Sequence, residues 1–179
     1  IWSLAVARNS AHETSSDVMW TCGSDPVGTS KLIRNKSGLH ADLTTSGLAP
    51  GQAMTFWIMF FNQPEACVAG PYNCSIEDLG ANTAAQGDFH WASGHVINKN
   101  GNATFGGSLK AGDTRASGLA EFPGGCLPGL PDCGGPIGIE NGDGALVVLA
   151  IHSHGPKQKG EVLKSQLDSF VGGCETFTG

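Results

Sequence analysis

Charge is scarce in this chain: Asp, Glu, Lys and Arg make up only 15% of its 179 residues, against about 25% in an ordinary soluble domain. Lys and Arg number 10 against 16 Asp and Glu, for a net charge of −6, and no basic cluster forms anywhere along it. A nucleic-acid surface needs a basic footprint to displace counterions, so nucleic acid is not expected as a partner. No apolar run reaches the ~18 residues of a membrane-spanning helix. There is no G-x-S-x-G elbow, P-loop, G-x-G-x-x-G or H-E-x-x-H. Ser, His and Asp residues are scattered, and sequence alone assembles no triad from them. No two cysteines stand two to four residues apart, as zinc ligands usually do. Neither a cofactor nor a catalytic residue is implied.

What the chain has in quantity is glycine, 27 residues, alongside 40% hydrophobic residues. Many glycines with few strong helix formers point to strands joined by long loops. Its length suits one domain with a sizeable core. The six cysteines include two C-x6-C pairs, Cys67/Cys74 and Cys126/Cys133, each in a Gly/Pro/Asn-rich stretch. An even count at repeated spacing reads as disulfides, which need an oxidising compartment. The two local loops are the favoured pairs, leaving Cys22–Cys174 to tie the ends together. A start at Ile1 rather than Met fits a processed, exported protein.

Residues 1–8 alternate Trp2, Leu4 and Val6 against Ser3, Ala5 and Ala7, a period-two strand with one apolar face. Residues 9–17 are polar and read as a linker, so 1–17 is set apart from a single sandwich domain over 18–179. Strands are expected at 29–35, 39–45, 54–61, 89–98, 102–109 and 145–153. Segment 54–61 is apolar on both parities, Met54, Phe56, Ile58 and Phe60 against Trp57, Met59 and Phe61, so both its faces must be covered. Asn100-Gly101 suits a type I′ hairpin turn, which would set Val96 opposite Phe105. Leu163, Leu167 and Phe170 recur at helical spacing before Gly172-Gly173, allowing one short C-terminal helix. The fold class expected is all-β: an antiparallel β-sandwich, jelly-roll or Ig-like, with long disulfide-stapled loops.

Three stretches carry a resemblance. Gly47-Leu48-Ala49-Pro50-Gly51 leads into the aromatic strand and Asn62-Gln63-Pro64-Glu65-Ala66-Cys67. The others are Ile151-His152-Ser153-His154-Gly155-Pro156 and Phe170-Val171-Gly172-Gly173-Cys174. Together they resemble a group of secreted bacterial β-sandwich proteins, loosely similar to CHRD-type domains, over most of residues 20–174. The resemblance implies export and a sandwich fold, and no active site.

His152 and His154 form an H-x-H pair whose side chains share a strand face. With His90 or His95 they could hold copper or zinc, as in a small secreted metalloprotein or metalloenzyme. Regular alternation would put His90 and His95 on opposite faces, so at most one joins. Glu140-Asn141-Gly142-Asp143-Gly144 resembles an EF-hand loop, but its first ligand position would be Ile139. Asn35, Asn73 and Asn102 head N-x-S/T sequons, possible glycan sites beside expected turns. Trp57 or Trp91, if exposed, could stack on sugar rings in a carbohydrate-binding module. Trp2, Leu4 and Val6 are unusual so near a chain end. Strand 1–8 either edges its own sandwich or adds to a neighbour's sheet, the head-to-tail joint of a self-associating homopolymer. A secreted or cell-surface filament subunit is the expected function.

Overall fold

The computed structural model describes residues 2–5, 13–19, 26–130 and 133–170. Its strands are β1 (Trp2–Ala5), β2 (Glu13–Met19), β3 (Pro26–Asn35), β4 (Gly38–Thr45), β5 (Gln52–Phe61), β6 (Gly87–Val96), β7 (Ala103–Lys110) and β8 (Leu146–Pro156), followed by helix α1 (Gly160–Asp168). Hydrogen bonding runs through all eight in the order β6-β5-β8-β1-β2-β3-β4-β7, and every neighbouring pair is antiparallel. The ribbon folds over so that β6-β5-β8 faces β3-β4-β7, giving the all-β sandwich that the composition calls for.

Alternation explains the core. Leu39, Ala41 and Leu43 of β4 share the inner face with Phe105 and Leu109 of β7, and meet Met54, Phe56, Ile58 and Phe60 of β5 and Val147, Leu149 and Ile151 of β8. Every residue of β5 is buried. Its outer face, Trp57, Met59 and Phe61, joins Leu146, Val148 and Phe89 in a second cluster, roofed by Leu79, Leu119 and residues of the stapled loops. Each large apolar side chain so covered contributes roughly 1.5–3 kcal/mol. Loops therefore do for β5 what a third layer would do.

Cys67 is bonded to Cys74 and Cys126 to Cys133, with Cα–Cα distances of 4.9 and 5.3 Å. Cys22 and Cys174 lie outside the described residues. Asp78 braces the first staple: its Oδ1 accepts from the Val68 N–H and its Oδ2 from the Ser75 N–H.

Three expectations are corrected. The polar stretch after residue 9 is not all linker: residues 13–19 form β2, in register with β3. The expected boundary after Asp17 falls inside that strand. Polar side chains suit a solvated sheet face, where Glu13 and Lys31 form an ion pair at 3.0 Å. Val96 does not face Phe105: Val96 pairs with Ala53 and Phe105 with Leu43. The turn around Asn100-Gly101 is tight (Asn98 N–H to Asn102 O, 3.2 Å), but it carries the chain between layers. Both strands give their ladders to other partners. Close approach of the layers is made possible by Gly107, where an added Cβ would lie 2.4 Å from the Ala92 Cβ. Finally, the sandwich has a bulge. Phe56 pairs with Ser93 and Trp57 with Trp91, so Ala92 is an extra residue in β6.

Candidate functional site

The histidines converge less than their sequence spacing allows. His152 and His154 do share the outer face of β8, where His152 stands opposite Thr55 of β5. Thr55 is fully buried and is the hub of the cluster. Its Oγ1 lies 2.8 Å from His154 Nε2, accepts from Trp57 Nε1 at 2.8 Å and donates to the Ser169 carbonyl at 3.2 Å. His152 Nδ1 lies 2.6 Å from the Phe170 carbonyl oxygen. Phe170 follows the extended Ser169 beyond α1 and sets its ring edge-on to Trp57, 5.2 Å between centroids, and 4.0 Å from Phe89. Desolvation, with His154 adding repulsion, pushes the His152 pKa down to about 4. A neutral imidazole, half-buried against the Phe170 ring, fixes the segment after α1 to the sheet.

The bulge at Ala92 brings His90 and His95 to the same side of β6, where a regular strand would part them. They remain far apart in environment. His90 is 1% exposed, and its ring packs edge-on to Phe60 at 5.3 Å. His95 is exposed beside Phe105. Among the described residues, the one group of three or more His, Cys, Asp or Glu with mutually close ligand atoms is Cys67, Cys74 and Asp78. Its sulfurs are joined in a disulfide and its carboxylate is committed to backbone N–H groups, so it does not fit a metal. Neither His90 nor His95 completes a set with His152 and His154. In the Glu140–Gly144 loop, Asn141 Oδ1 accepts from the Asp143 N–H at 3.1 Å, and Asp143 acts electrostatically on the buried Arg34. An acidic group facing a guanidinium is a poor start for a calcium site.

His90 belongs to a second buried network that sequence reasoning missed. Asp88 is fully buried. Its Oδ2 accepts from Ser117 Oγ at 2.7 Å and the Ile137 N–H at 2.9 Å, with His90 Nε2 at 3.5 Å. His90 Nε2 also lies 3.2 Å from the Ile137 carbonyl oxygen. The Ser117 hydroxyl donates to the Asp88 carboxylate, which also accepts the Ile137 N–H. The network joins the loops at 117 and 137 to β6, closing one end of the sandwich. Its signal, an Asp among apolar strand residues, was present but silent about partners.

Of the two tryptophans expected to stack on sugars, Trp57 is 0% exposed and Trp91 38%. Trp91 borders a shallow groove with Leu163, Lys164, Leu167 and Asp168 of α1, its Nε1 donating to the Leu167 carbonyl at 3.0 Å. Asn35, Asn73 and Asn102 are all exposed. At the first, Asn35 Oδ1 accepts from both the N–H and the hydroxyl of Ser37, at 2.8 and 2.6 Å.

Residues 2–5 form β1, a strand between β8 and β2. It pairs along β8 at four positions, Trp2 opposite Ala150, Ser3 opposite Leu149, Leu4 opposite Val148 and Ala5 opposite Val147. Toward β2 the ladder is shorter, with Trp2 opposite Met19. Trp2 and Leu4 thus stand opposite Ala150 and Val148 in the ladder; Val6 lies outside the described residues. Among the described residues no helix is long and apolar enough to cross a membrane. No family model, no curated protein and no solved structure matches this chain, and none of the three comparisons bears on the CHRD-type resemblance.

Proposed function

We propose that this chain is an extracellular structural subunit that joins its neighbours by exchanging strand β1. The observation that carries the reading is the place of β1: an N-terminal strand that completes the middle of the sheet, between β8 and β2. Without it, β8 would present four residues of unpaired backbone, which strand addition from another copy satisfies equally well. Residues 6–12 connect β1 to β2, and seven extended residues reach up to ~25 Å. The same connection can close back within a chain or cross to its neighbour. Run head to tail without closing on itself, exchange of this kind builds filaments. Two disulfides support an oxidising, secreted or cell-surface setting, and three exposed sequons agree with it.

Deleting residues 1–8 tests the reading. Full-length protein is expected to form polymers by light scattering and electron microscopy, and the deletion variant monomers or aggregates. Identical assembly of the two would overturn it. Sugar binding is a second reading, supported by exposed Trp91 in its groove; quenching of Trp91 fluorescence by oligosaccharides, lost in Trp91→Ala, is its test.

A further inference from the structure

The outer face of β4 and β7 carries an arrangement that the assembly reading does not use. His40 and Ser108 stand directly opposite each other in the β4–β7 ladder. His40 Nδ1 lies 2.8 Å from Ser108 Oγ, and His40 Nε2 lies 3.2 Å from Asp42 Oδ1. The proton positions follow from the chemistry. An ionised carboxylate at ion-pair distance from Nε2 favours the tautomer with hydrogen on that nitrogen. Nδ1 of the neutral ring is then an acceptor, and the Ser108 hydroxyl donates to it. The order is Ser108 to His40 to Asp42, hydroxyl to base to orienting carboxylate, the relationship that activates a serine nucleophile.

Two further features fit that order. Gly106 stands opposite Asp42, and an added Cβ there would lie 3.1 Å from Asp42 Oδ1; its hydrogen leaves room for the carboxylate to turn toward His40. His40 and Ser108 also line a depression of about 250 Å³ with Ile33, Leu39, Leu109 and Lys110. Lys110 lies two residues beyond Ser108, so on the same face of β7, and lines the same depression. His40 and Asp42 are about half exposed, 46% and 47% for their side chains, so a small substrate reaches them from solvent.

We infer that Ser108 is a nucleophile toward small carboxylic esters, with His40 as its general base and Asp42 as a positioning residue. Ser108 Oγ bonds to the carbonyl carbon as its proton passes to His40 Nδ1. The carbon–oxygen bond to the alcohol then breaks and His40 returns the proton to the departing oxygen. Water, deprotonated in turn by His40, releases the acid and restores the hydroxyl.

A fluorophosphonate probe tests this on the full chain, because its phosphorus bonds to an activated serine oxygen with loss of fluoride. The expected result is one adduct per chain, mapped by mass spectrometry to the peptide containing Ser108. It should be absent in Ser108→Ala and formed at least ~100-fold more slowly in His40→Ala, the scale of a lost general base. An Asn at 42 can donate to Nε2 and so favours the opposite tautomer. In Asp42→Asn, labelling should slow and the ¹⁵N signal of His40 Nδ1 should change from the unprotonated to the protonated type. Unchanged thermal unfolding of the variants would show that folding is intact. No adduct at Ser108 in folded parent protein, or equal labelling of the parent and His40→Ala, would overturn the assignment and leave a cross-strand polar ladder. Hydrolysis of 4-nitrophenyl acetate that survives Ser108→Ala would equally count against it, as free imidazole chemistry.

Discussion

The Nδ1–H of His152 donates to the carbonyl oxygen of Phe170 across 2.6 Å, and that bond ties the chain beyond α1 to the outer face of β8. Burial against the Phe170 ring disfavours the charged imidazole. The His152 pKa is lowered to about 4 in the folded chain, against about 6.5 when unfolded. Below about pH 6.5 the unfolded state takes up the proton first, so stability falls as pH drops, until the folded state also protonates near 4. The loss is at most about 3 kcal/mol over that window. Urea unfolding of His152→Gln at pH 7 and pH 4.5 should show a smaller difference than the parent; an equal difference would contradict a contribution from His152.

Thr55 supplies one hydroxyl to three partners, Trp57 Nε1, the Ser169 carbonyl and His154 Nε2. Thr55→Val keeps the shape and removes the oxygen, leaving a buried indole N–H without its acceptor. A loss of about 1–3 kcal/mol is expected in chemical denaturation. A neutral substitution would contradict the hub role.

Layer spacing at Gly107 is set by Ala92. Gly107→Ala alone should destabilise by about 1–3 kcal/mol, since its methyl meets packed carbon. Ala92→Gly in the same chain removes the obstacle and should recover part of that loss. Additive effects in a thermal double-mutant cycle would contradict direct contact.

Glycans, where the protein is made with an N-glycosylation pathway, are expected at Asn35 and Asn102 before Asn73, whose neighbour Cys74 is held in a disulfide. Glycopeptide mass spectrometry gives the order. Occupancy at Asn73 alone would contradict it.

The core was legible because alternation is a direct record of burial. The doubly apolar parity of segment 54–61 showed that β5 is covered on both faces, and both are. The partners of each strand were not legible. One extra residue, Ala92, reverses the parity relation of His90 and His95, and nothing local marks that bulge. The Asn100-Gly101 turn was visible, but whether its strands pair or part depends on β4 and β5, each far away in sequence. Polarity hid β2, since a solvated strand and a linker have similar composition. Trp57 is roofed over, as the doubly apolar parity of its strand required, and that pattern already spoke against its stacking on sugars. His40 and Asp42 share a face by their spacing on β4, but Ser108 meets them only through the register of β4 with β7, which no spacing encodes.

The most direct test of strand exchange uses the pair Ala5 and Val147, opposite each other in the β1–β8 ladder. Ala5→Cys is placed in one population of subunits and Val147→Cys in another, and the two are assembled together under mild oxidation. A bond between them then crosses from one subunit to the next. The exchange account predicts covalent dimers on non-reducing gels, with the new cysteines linked to each other in the peptide map. A double variant that closes only within its own chain, together with no cross-linked product from the mixed populations, would contradict it and leave β1 as a strand of its own sandwich alone.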